Sequence, residues 1–332
     1  MTRHLISRRQ FLMLAASALA ASGGRVRALQ GTPPPDTTEE PFDWYADPPI
    51  VEDMRASLVN FIGDYKMALD FRCFNSDQDE LFRIQINAYD LFPVASCFKA
   101  IAVLYYFLNV PQDEWEAESV TPLYRMAVYS DNVATGVVLD NVARRISGPG
   151  NAIEKFNDFL RYKVGLINGM HTWNWEGAPT RGLSDPRYAP SINTGRVVWK
   201  DDNYFQVDNV FSAADLSRAH DFITRGEFFT RSVRFRAAAR ATKDLLSIPA
   251  DNGYQSPIER IFPEGYTGKD GILPSNNLEI GRVVNDAGAL QVNDHTYIIV
   301  LMAAGESESL VLDVLREVSS QMNLYEETGD GR

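Results

Sequence analysis

Apolar residues recur along this chain with two periods, and the changes between them outline its elements. Between Val51 and Ile62 they follow the spacing of one helical face, whereas Met67–Cys73 alternates as a strand does. A second strand is predicted at Leu81–Tyr89. The run from Cys97 to Leu108 is apolar or tyrosine at every position except Lys99. A helix of this composition is buried on all sides.

The middle of the chain has helical patterns, and its last part returns to strands. In residues 121–144 the helical pattern is interrupted by Ser130-Asp131-Asn132, which favours a bend. Ser212-Ala213-Ala214-Asp215 is typical of a helix start, because the serine can cap the first turn. Further helices are predicted at residues 153–160, 212–225, 230–246 and 310–322, and further strands at residues 271–273, 282–290 and 295–303. This order predicts an α+β fold in which the strands at the two ends of the chain pair in one sheet.

Composition allows a sizeable core and excludes one class of partner. Hydrophobic residues make up 45% of the 332 positions, enough for one large domain or two interleaved ones. Residues 1–28 hold five of the 32 Lys+Arg and none of the 44 Asp+Glu, so the remainder carries a net charge of −17. Such a surface repels phosphate backbones, and we therefore expect no nucleic-acid partner.

Residues 1–28 have the charge layout of an export signal. Ser7-Arg8-Arg9-Gln10-Phe11-Leu12 precedes an apolar stretch that ends at Ala21 and is too short to span a membrane. The arginine pair resembles a twin-arginine signal, so we expect a periplasmic or extracellular protein with no membrane span after signal cleavage. The alternative is the frayed basic N-terminus of a cytosolic protein. Residues 29–49 are proline-rich and predict an extended tether.

Cysteine and histidine usage predicts no cross-linked framework and no metal site. Cys73 and Cys97 do not make a disulfide framework. Export would permit a bridge between them, but Cys97 lies in the apolar run and is expected to pack as a small hydrophobic residue. The four histidines are scattered and no metal-ligand spacing occurs. We expect neither a metal nor another cofactor.

A hydroxyl and an amine lie one helical turn apart at the start of the apolar run. Pro93 and Ser96 predict the beginning of this helix, and Lys99 falls on the same face as Ser96. Burial disfavours the ammonium form of a lysine, so the neutral amine can take the serine proton. The alternative is a core helix whose one lysine extends to water.

Two further motifs follow the segment Phe92–Lys99. They are Ser130-Asp131-Asn132 and Lys269-Asp270-Gly271, the latter at the start of a predicted strand. Lys99 is the only one of seven lysines with a serine three positions before it. Together with Asn285-Asp286-Ala287-Gly288, this set resembles the penicillin-recognising serine hydrolases, most closely the class A β-lactamase catalytic domain.

The resemblance covers about residues 50–322 and implies a fold. That fold is a five-stranded antiparallel sheet flanked by helices, plus an all-helical subdomain, with the reactive serine between them. Residues 50–90 and 250–332 would form the α/β subdomain, and residues 91–249 the helical one. The implied partner is a small-molecule β-lactam or a peptidoglycan stem peptide, and we expect a monomer.

The first two motifs supply the acyl-transfer groups that the resemblance implies. Ser96 would be the nucleophile and Lys99 its proton acceptor. Ser130 would pass a proton to the departing nitrogen, and Asn132 would hold the amide of the acyl side chain. Acyl transfer to a serine needs a base, an oxyanion site and a proton for the leaving amine, and this set provides for each.

The third motif supplies the strand side of the implied site. Lys269 would add positive potential, and Gly271 and Ile272 would line the substrate. The N–H groups of Ser96 and Ile272 would form the oxyanion hole. A competing alignment, Tyr266-Thr267-Gly268, keeps the threonine of the family's usual Lys-Thr-Gly motif but loses the lysine.

Two departures from the family pattern affect the cleft. Ser96 and Ser130 are 34 positions apart, which is shorter than in typical class A enzymes and predicts an open wall. Asp270 stands where the family usually has threonine or serine. A carboxylate only accepts hydrogen bonds, so we expect weak binding of penicillins and a preference for acyl donors that lack the carboxylate or carry a positive group. Arg282 is the candidate second cation; the alternative is a sheet-edge arginine that serves solubility.

A third departure concerns deacylation, for which class A enzymes use a water activated by a glutamate. Trp175-Glu176 resembles the start of the loop that carries this residue, but Thr180 stands where the motif has asparagine. The other glutamate in this part of the chain, Glu154, belongs to an earlier predicted helix. Glu176 is therefore the candidate deacylating base, and an ordinary loop acid is the alternative.

The sequence predicts an exported active-site serine hydrolase that acts on β-lactams through an acyl-enzyme, of class A β-lactamase type. A D-alanyl-D-alanine carboxypeptidase-like peptidase is an alternative, because it shares the acylation half of the chemistry. A penicillin-binding or sensor protein that deacylates slowly is another. The lifetime of the acyl-enzyme separates the three.

Overall fold

The structure consists of strands and helices from both ends of the chain and mostly helices from its middle. It is a computed structural model. It describes residues 47–328 apart from 117, 119, 171, 174–180, 183–195, 199–203, 207–208 and 275–279. The strands are β1 (Met67–Phe74), β2 (Glu80–Ile86), β3 (Phe92–Pro93), β4 (Thr172–Trp173), β5 (Arg181–Gly182), β6 (Arg196–Val198), β7 (Tyr204–Gln206), β8 (Val210–Phe211), β9 (Thr267–Leu273), β10 (Val283–Val292) and β11 (His295–Ala304). The α-helices are α1 (Pro49–Ile62), α2 (Phe98–Asn109), α3 (Pro122–Val128), α4 (Asn132–Arg145), α5 (Ala152–Phe159), α6 (Ala213–Thr224), α7 (Gly226–Phe229), α8 (Val233–Leu246), α9 (Pro257–Ile261) and α10 (Glu308–Thr328). A short 3₁₀ helix (Gln112–Glu114) and a π-helical turn (Leu160–Val164) complete the set.

The five long strands form one antiparallel sheet in the order β2-β1-β11-β10-β9. This confirms that strands from the two ends of the chain pair, as the sequence predicts. In the register of β9 against β10, Asp270 lies opposite Asp286 and Gly271 lies opposite Asn285. Because β9 is an edge strand, half of its backbone groups have no strand partner in this sheet.

Helices cover both faces of the sheet. On one face, α1 and α10 pack over a cluster that includes Met54, Phe71 and Val314. On the other, the helices of the middle of the chain share a cluster with the sheet that includes Phe98 and Met302. The expected five-stranded sheet flanked by helices is confirmed. Pro48–Arg332 forms one compact unit, and its division into two subdomains stays a prediction.

Strand β1 differs from the expected alternation, because all of its residues are buried. The alternating pattern predicts that its polar side chains lie in water, but they are buried and paired instead. Asp70 accepts hydrogen bonds from Arg83 (2.6 Å) and from Ser217 of α6 (2.9 Å). Arg72 pairs with Glu80 and Asp221, both at 3.1 Å. These pairs satisfy the charges that α6 shields from water.

The predicted buried helix and the predicted break are both present. In α2 every residue from Phe98 to Phe107 is buried. Helices α3 and α4 are separated at Ser130, and Ser212 and Asp215 form the expected capping box of α6. Several short features were not predicted, among them the pairing of β3 with β8 and helix α9.

Three features concern the described residues only: the cysteines, membrane-spanning helices and groups of possible metal ligands. Cys73 and Cys97 are free thiols, both buried, so they are not bridged. Within the described ranges, no helix is long and apolar enough to cross a membrane. No group of three or more His, Cys, Asp or Glu in these ranges could hold a metal ion.

Candidate active site

Ser96 lies in a turn between β3 and α2. The N–H of Cys97 donates to the Val94 carbonyl at 3.3 Å, and the N–H of Lys99 donates to the Ser96 carbonyl at 3.0 Å. The helix begins at Phe98, so Ser96 lies two residues before it, near the first turn. Pro93 belongs to β3, because this strand pairs with β8. Ser96 is half-buried, and a substrate can therefore reach it.

Backbone geometry and one buried amide fix this turn. Ala95, the residue before Ser96, has a φ of 50°, in the left-handed region that costs a non-glycine residue energy. The Nδ2 of Asn285 donates to the Pro93 carbonyl at 2.7 Å, and its Oδ1 accepts from the N–H of Ala303 at 3.3 Å. Asn285 is fully buried and so ties the strand before Ser96 to β10 and β11.

The amino group of Lys99 is buried, with 1% of the residue exposed. It donates to the Ser130 carbonyl (2.6 Å), to the Ser130 hydroxyl (3.1 Å) and to Oδ1 of Asn132 (2.7 Å). Burial, together with the nearby charge of Lys269, lowers the pKa of Lys99 to about 7 against the opposing effect of Asp270. Neutral amine is therefore present at physiological pH.

The hydrogen bonds of the described residues include none between Lys99 Nζ and Ser96 Oγ. All three amine donors face the segment that carries Ser130 and Asn132. In structures without substrate, catalytic hydrogen bonds are often long or poorly aligned. Loss of one proton from Lys99 gives its nitrogen a lone pair, which can then accept from a serine hydroxyl.

A capped bend between α3 and α4 places Ser130 and Asn132. Asp131 caps α4 by accepting from the N–H of Ala134 at 2.9 Å, and it pairs with Arg125 of α3. The N–H of Asp131 donates to the Arg125 carbonyl at 3.0 Å. Ser130 has a φ of 58°, so the bend holds its carbonyl and hydroxyl toward Lys99 in a conformation that serine rarely adopts.

The edge strand β9 passes against the Ser96 turn at Gly271. A Cβ at Gly271 would lie 2.6 Å from the backbone nitrogen of Ser96 and 2.9 Å from that of Cys97. Only glycine allows this approach, which brings the N–H of Ser96 beside the strand that carries Ile272. Gly268 instead meets the side chain of Tyr266. The Lys269-Asp270-Gly271 alignment therefore places its glycine at the serine, and the competing one does not.

Lys269 and Asp270 form an ion pair next to this contact. Lys269 Nζ lies 2.6 Å from Oδ1 of Asp270, and the hydroxyl of Tyr254 donates to Oδ2 at 2.6 Å. Burial alone would raise the pKa of Asp270, but the charge of Lys269 and the two hydrogen bonds hold it below its ordinary value. Tyr254 was not predicted, because only the fold brings it to Asp270.

A second carboxyl group lies behind this pair. Asp286, opposite Asp270 on β10, is buried and accepts from the N–H of Ile258 at 2.7 Å and from the hydroxyl of Tyr266. Burial, together with the charge of Asp270, raises the pKa of Asp286 to about 7. Tyr266 thus supports a buried carboxyl group and does not serve as a substrate-binding motif residue here.

One predicted site residue contacts α10, and another lies outside the described residues. Arg282 lies one residue before β10, and its Nη2 donates to Oε2 of Glu308 on α10 at 2.6 Å. Glu308 also pairs with Arg260, so two arginines share this carboxylate, and the role of Arg282 as a second cation stays a prediction. Glu176 lies outside the described residues, and its role stays a prediction.

Comparison with solved structures identifies the fold. The β-lactamase from Sphaerobacter thermophilus is 16% identical and covers 82% of this chain and 97% of its own, with a TM-score of 0.52. A class A β-lactamase of the last common ancestor of Gram-negative bacteria is 14% identical over 81% of this chain and 99% of its own, with a TM-score of 0.54. A class A β-lactamase from Clostridium kluyveri is 14% identical over 82% of this chain and 99% of its own, with a TM-score of 0.51.

No protein-family model matches the sequence, and no curated protein is significantly similar to it in sequence. At the identities of the structural neighbours, the likeness shows the fold alone. The chain has the β-lactamase-like fold, as the three motifs predict.

Proposed function

We propose that this protein is an exported serine hydrolase that opens β-lactams through an acyl-enzyme on Ser96. The observation that carries the proposal is the buried amine of Lys99, which hydrogen-bonds to Ser130 and Asn132 one turn after a solvent-accessible serine. A buried lysine with a pKa near 7 is a base suited to activating a hydroxyl at neutral pH.

Acylation then proceeds in two proton transfers. Neutral Lys99 takes the proton of Ser96 Oγ as this oxygen bonds to the carbonyl carbon of the lactam. The carbonyl oxygen becomes an oxyanion, which the N–H groups of Ser96 and Ile272 stabilise across the close contact at Gly271. As the C–N bond breaks, the proton on Lys99 passes through the Ser130 hydroxyl to the departing nitrogen, and Lys99 is neutral again.

Asn132 binds the acyl side chain in this proposal. Lys99 donates to the Asn132 oxygen, so the NH₂ group of Asn132 is left to donate to a carbonyl of the acyl side chain.

In deacylation, water adds to the ester carbonyl, and Ser96 Oγ leaves with a proton. We propose Glu176 as the base that activates this water.

Intact mass of the protein, followed over time after mixing with benzylpenicillin, tests the proposal. We expect one adduct on the peptide that contains Ser96, followed by its loss as product forms. Ser96→Ala should give no adduct. A persistent adduct would favour a penicillin-binding sensor, whereas an equal adduct in Ser96→Ala would remove Ser96 from the mechanism.

Export is the second part of the proposal and rests on residues 1–28, with the Arg8-Arg9 pair before an apolar stretch. The mature N-terminus of the protein from its native host should begin after this segment. Replacing both arginines with lysine should retain the protein inside the cell. Export that continues at the same level would point to a different route.

A further inference from the structure

We infer that the acyl donor of this protein is uncharged where it meets Lys269 and Asp270, with an ester or an amide in place of a free carboxylate, and that Asp270 sets this preference. The inference rests on the proposed acylation of Ser96 and narrows its substrate class. Gly271 holds β9 against the Ser96 turn, so a substrate bonded to Ser96 lies beside this strand, where Lys269 and Asp270 directly precede Gly271.

The cation at this position already has an anion. Lys269 Nζ lies 2.6 Å from Oδ1 of Asp270 and 3.2 Å from its backbone carbonyl oxygen. The second carboxylate oxygen accepts from Tyr254. The two side chains are only 6% and 13% exposed, so the pair is shielded from water. Charges interact more strongly in such a place than they do in water. A substrate carboxylate would be a second anion on one ammonium group.

Three other cations in the motifs or on flanking elements also have partners. Lys99 directs its three donors to Ser130 and Asn132. Arg125 pairs with Asp131, and Arg282 pairs with Glu308. Each of these three cations therefore has a partner before a substrate binds.

Neither an anionic nor a cationic ligand fits the charges around Asp270. Asp286 lies behind Asp270 in the register and adds negative charge whenever it ionises, which further opposes an anionic ligand. A cationic ligand would meet Lys269 and the protonated fraction of Lys99. A neutral carbonyl oxygen can accept the remaining N–H of Lys269 without adding a charge. An ester or an interior amide therefore fits best.

A pair of ligands that differ only in this group tests the inference: benzylpenicillin and its methyl ester. Equilibrium binding would be measured by calorimetry in the Ser96→Ala background, which cannot acylate, with and without Asp270→Asn. Acylation rates would be measured by intact mass in the otherwise native chain, again with and without Asp270→Asn. Asp313→Asn is the matched control, because it removes an exposed carboxylate that pairs with Arg316 on α10.

We expect the native site to bind and react with the ester in preference to the acid. Asp270→Asn should improve binding and acylation of the acid by about tenfold or more, because it removes the like charge and frees Lys269. The ester should change by less than about threefold, within the range of a lost neutral contact. Asp313→Asn should change neither ligand.

Two results overturn the inference: the native site binds the acid at least as well as the ester, or Asp270→Asn changes both ligands equally. These results are separate from failure of the proposed function. Absence of a Ser96 adduct with both ligands in all variants would overturn acylation, whereas the binding preference in Ser96→Ala is measured without it. A preference for the ester that persists in binding would then support the charge argument alone.

Discussion

The amine of Lys99 lies 2.6 Å from the backbone carbonyl of Ser130 and 3.1 Å from its hydroxyl, so the two motifs meet at one nitrogen. Loss of a proton from Lys99 removes one donor and creates an acceptor. The Ser130 carbonyl can only accept, so the lone pair must face a hydroxyl, either that of Ser130 or that of Ser96. Loss of this one proton therefore lets Lys99 accept a proton from one of the two serine hydroxyls.

The first prediction is that acylation titrates with Lys99. The acylation rate should rise with pH through about 7, where the buried amine becomes neutral. Lys269→Met should move this midpoint upward, because it removes a like charge that lowers the pKa of Lys99. Stopped-flow acylation across pH 5–10 measures both.

Lys99→Ala should slow acylation by about 10²–10⁴-fold, the range typical of a lost general base. Lys155→Ala is the matched control, since this lysine only donates to the carbonyls of Ala143 and Ile146. A midpoint near 10 in the native protein, as for a lysine in water, would place the base elsewhere.

The sequence predicted the elements that depend on residues close together in the chain. The buried helix α2 follows from an uninterrupted apolar run, and the bend at Ser130 follows from polar residues that compete with helix hydrogen bonds. Helix α9 was also within reach, because Ser256 and Glu259 form a capping box around Pro257.

Contacts between distant segments were not predictable in this way. The Tyr254 hydroxyl reaches Asp270 through the path of the chain between α8 and β9, and no local pattern marks it. Likewise, Asn285 was recognised only as part of a motif, whereas its bond to Pro93 requires β10 beside the Ser96 turn. The burial of Asp70 depends on α6 lying over the sheet.

The second prediction concerns the close approach at Gly271. Gly271→Ala would place a Cβ 2.6 Å from the Ser96 nitrogen, so β9 or the turn must shift. Because the Ser96 N–H is a proposed oxyanion donor, acylation should fall by about 10²–10³-fold. Overpacking should lower the free energy of unfolding by about 1–3 kcal/mol. Acylation kinetics and thermal denaturation measure the two effects.

The control for this prediction is Gly253→Ala, where nothing lies within 4 Å of the added Cβ and only the φ of 74° is unfavourable. It should lower stability without changing the acylation rate of the remaining folded protein. Normal acylation by Gly271→Ala would show that the contact with Ser96 does not position an oxyanion donor.

The third prediction separates strain from chemistry at Ser130. Its φ of 58° is easy for glycine and unfavourable for alanine. Ser130→Gly should therefore be more stable than Ser130→Ala, by about 1 kcal/mol. Both variants should lose the same acylation activity, since both lack the hydroxyl that passes the proton. Equal melting temperatures would contradict the strain, and retained acylation would contradict the proton transfer.

The fourth prediction tests Glu176 as the deacylating base. Glu176→Gln should leave acylation unchanged and make the Ser96 adduct accumulate, because an amide cannot take a proton from water. Glu154→Gln is the control: Glu154 is buried in the capping box of α5, so its loss should lower stability without prolonging the adduct. Unchanged turnover in Glu176→Gln would favour a different water-activating group.

The last prediction concerns Asp286 and stability. Its folded-state pKa is raised to about 7 from an ordinary value of 3.8, so the folded state binds the proton more tightly than the unfolded chain. This contribution to stability is present below about pH 4 and is lost as the pH rises through 7. Each unit of pKa difference corresponds to about 1.4 kcal/mol. Asp286→Asn removes the titrating group and with it this loss.

Melting temperatures of the native protein and of Asp286→Asn, measured from pH 4 to pH 8, test this sign. The variant should gain stability relative to the native protein as the pH rises, and the gain should level off above pH 7. Lys99 titrates in both proteins, so the difference between them isolates Asp286. Asp313→Asn, which removes an exposed carboxylate, should show no such trend. A difference that stays constant over this range would mean that Asp286 is ionised throughout, with Tyr266 and the Ile258 N–H outweighing its burial.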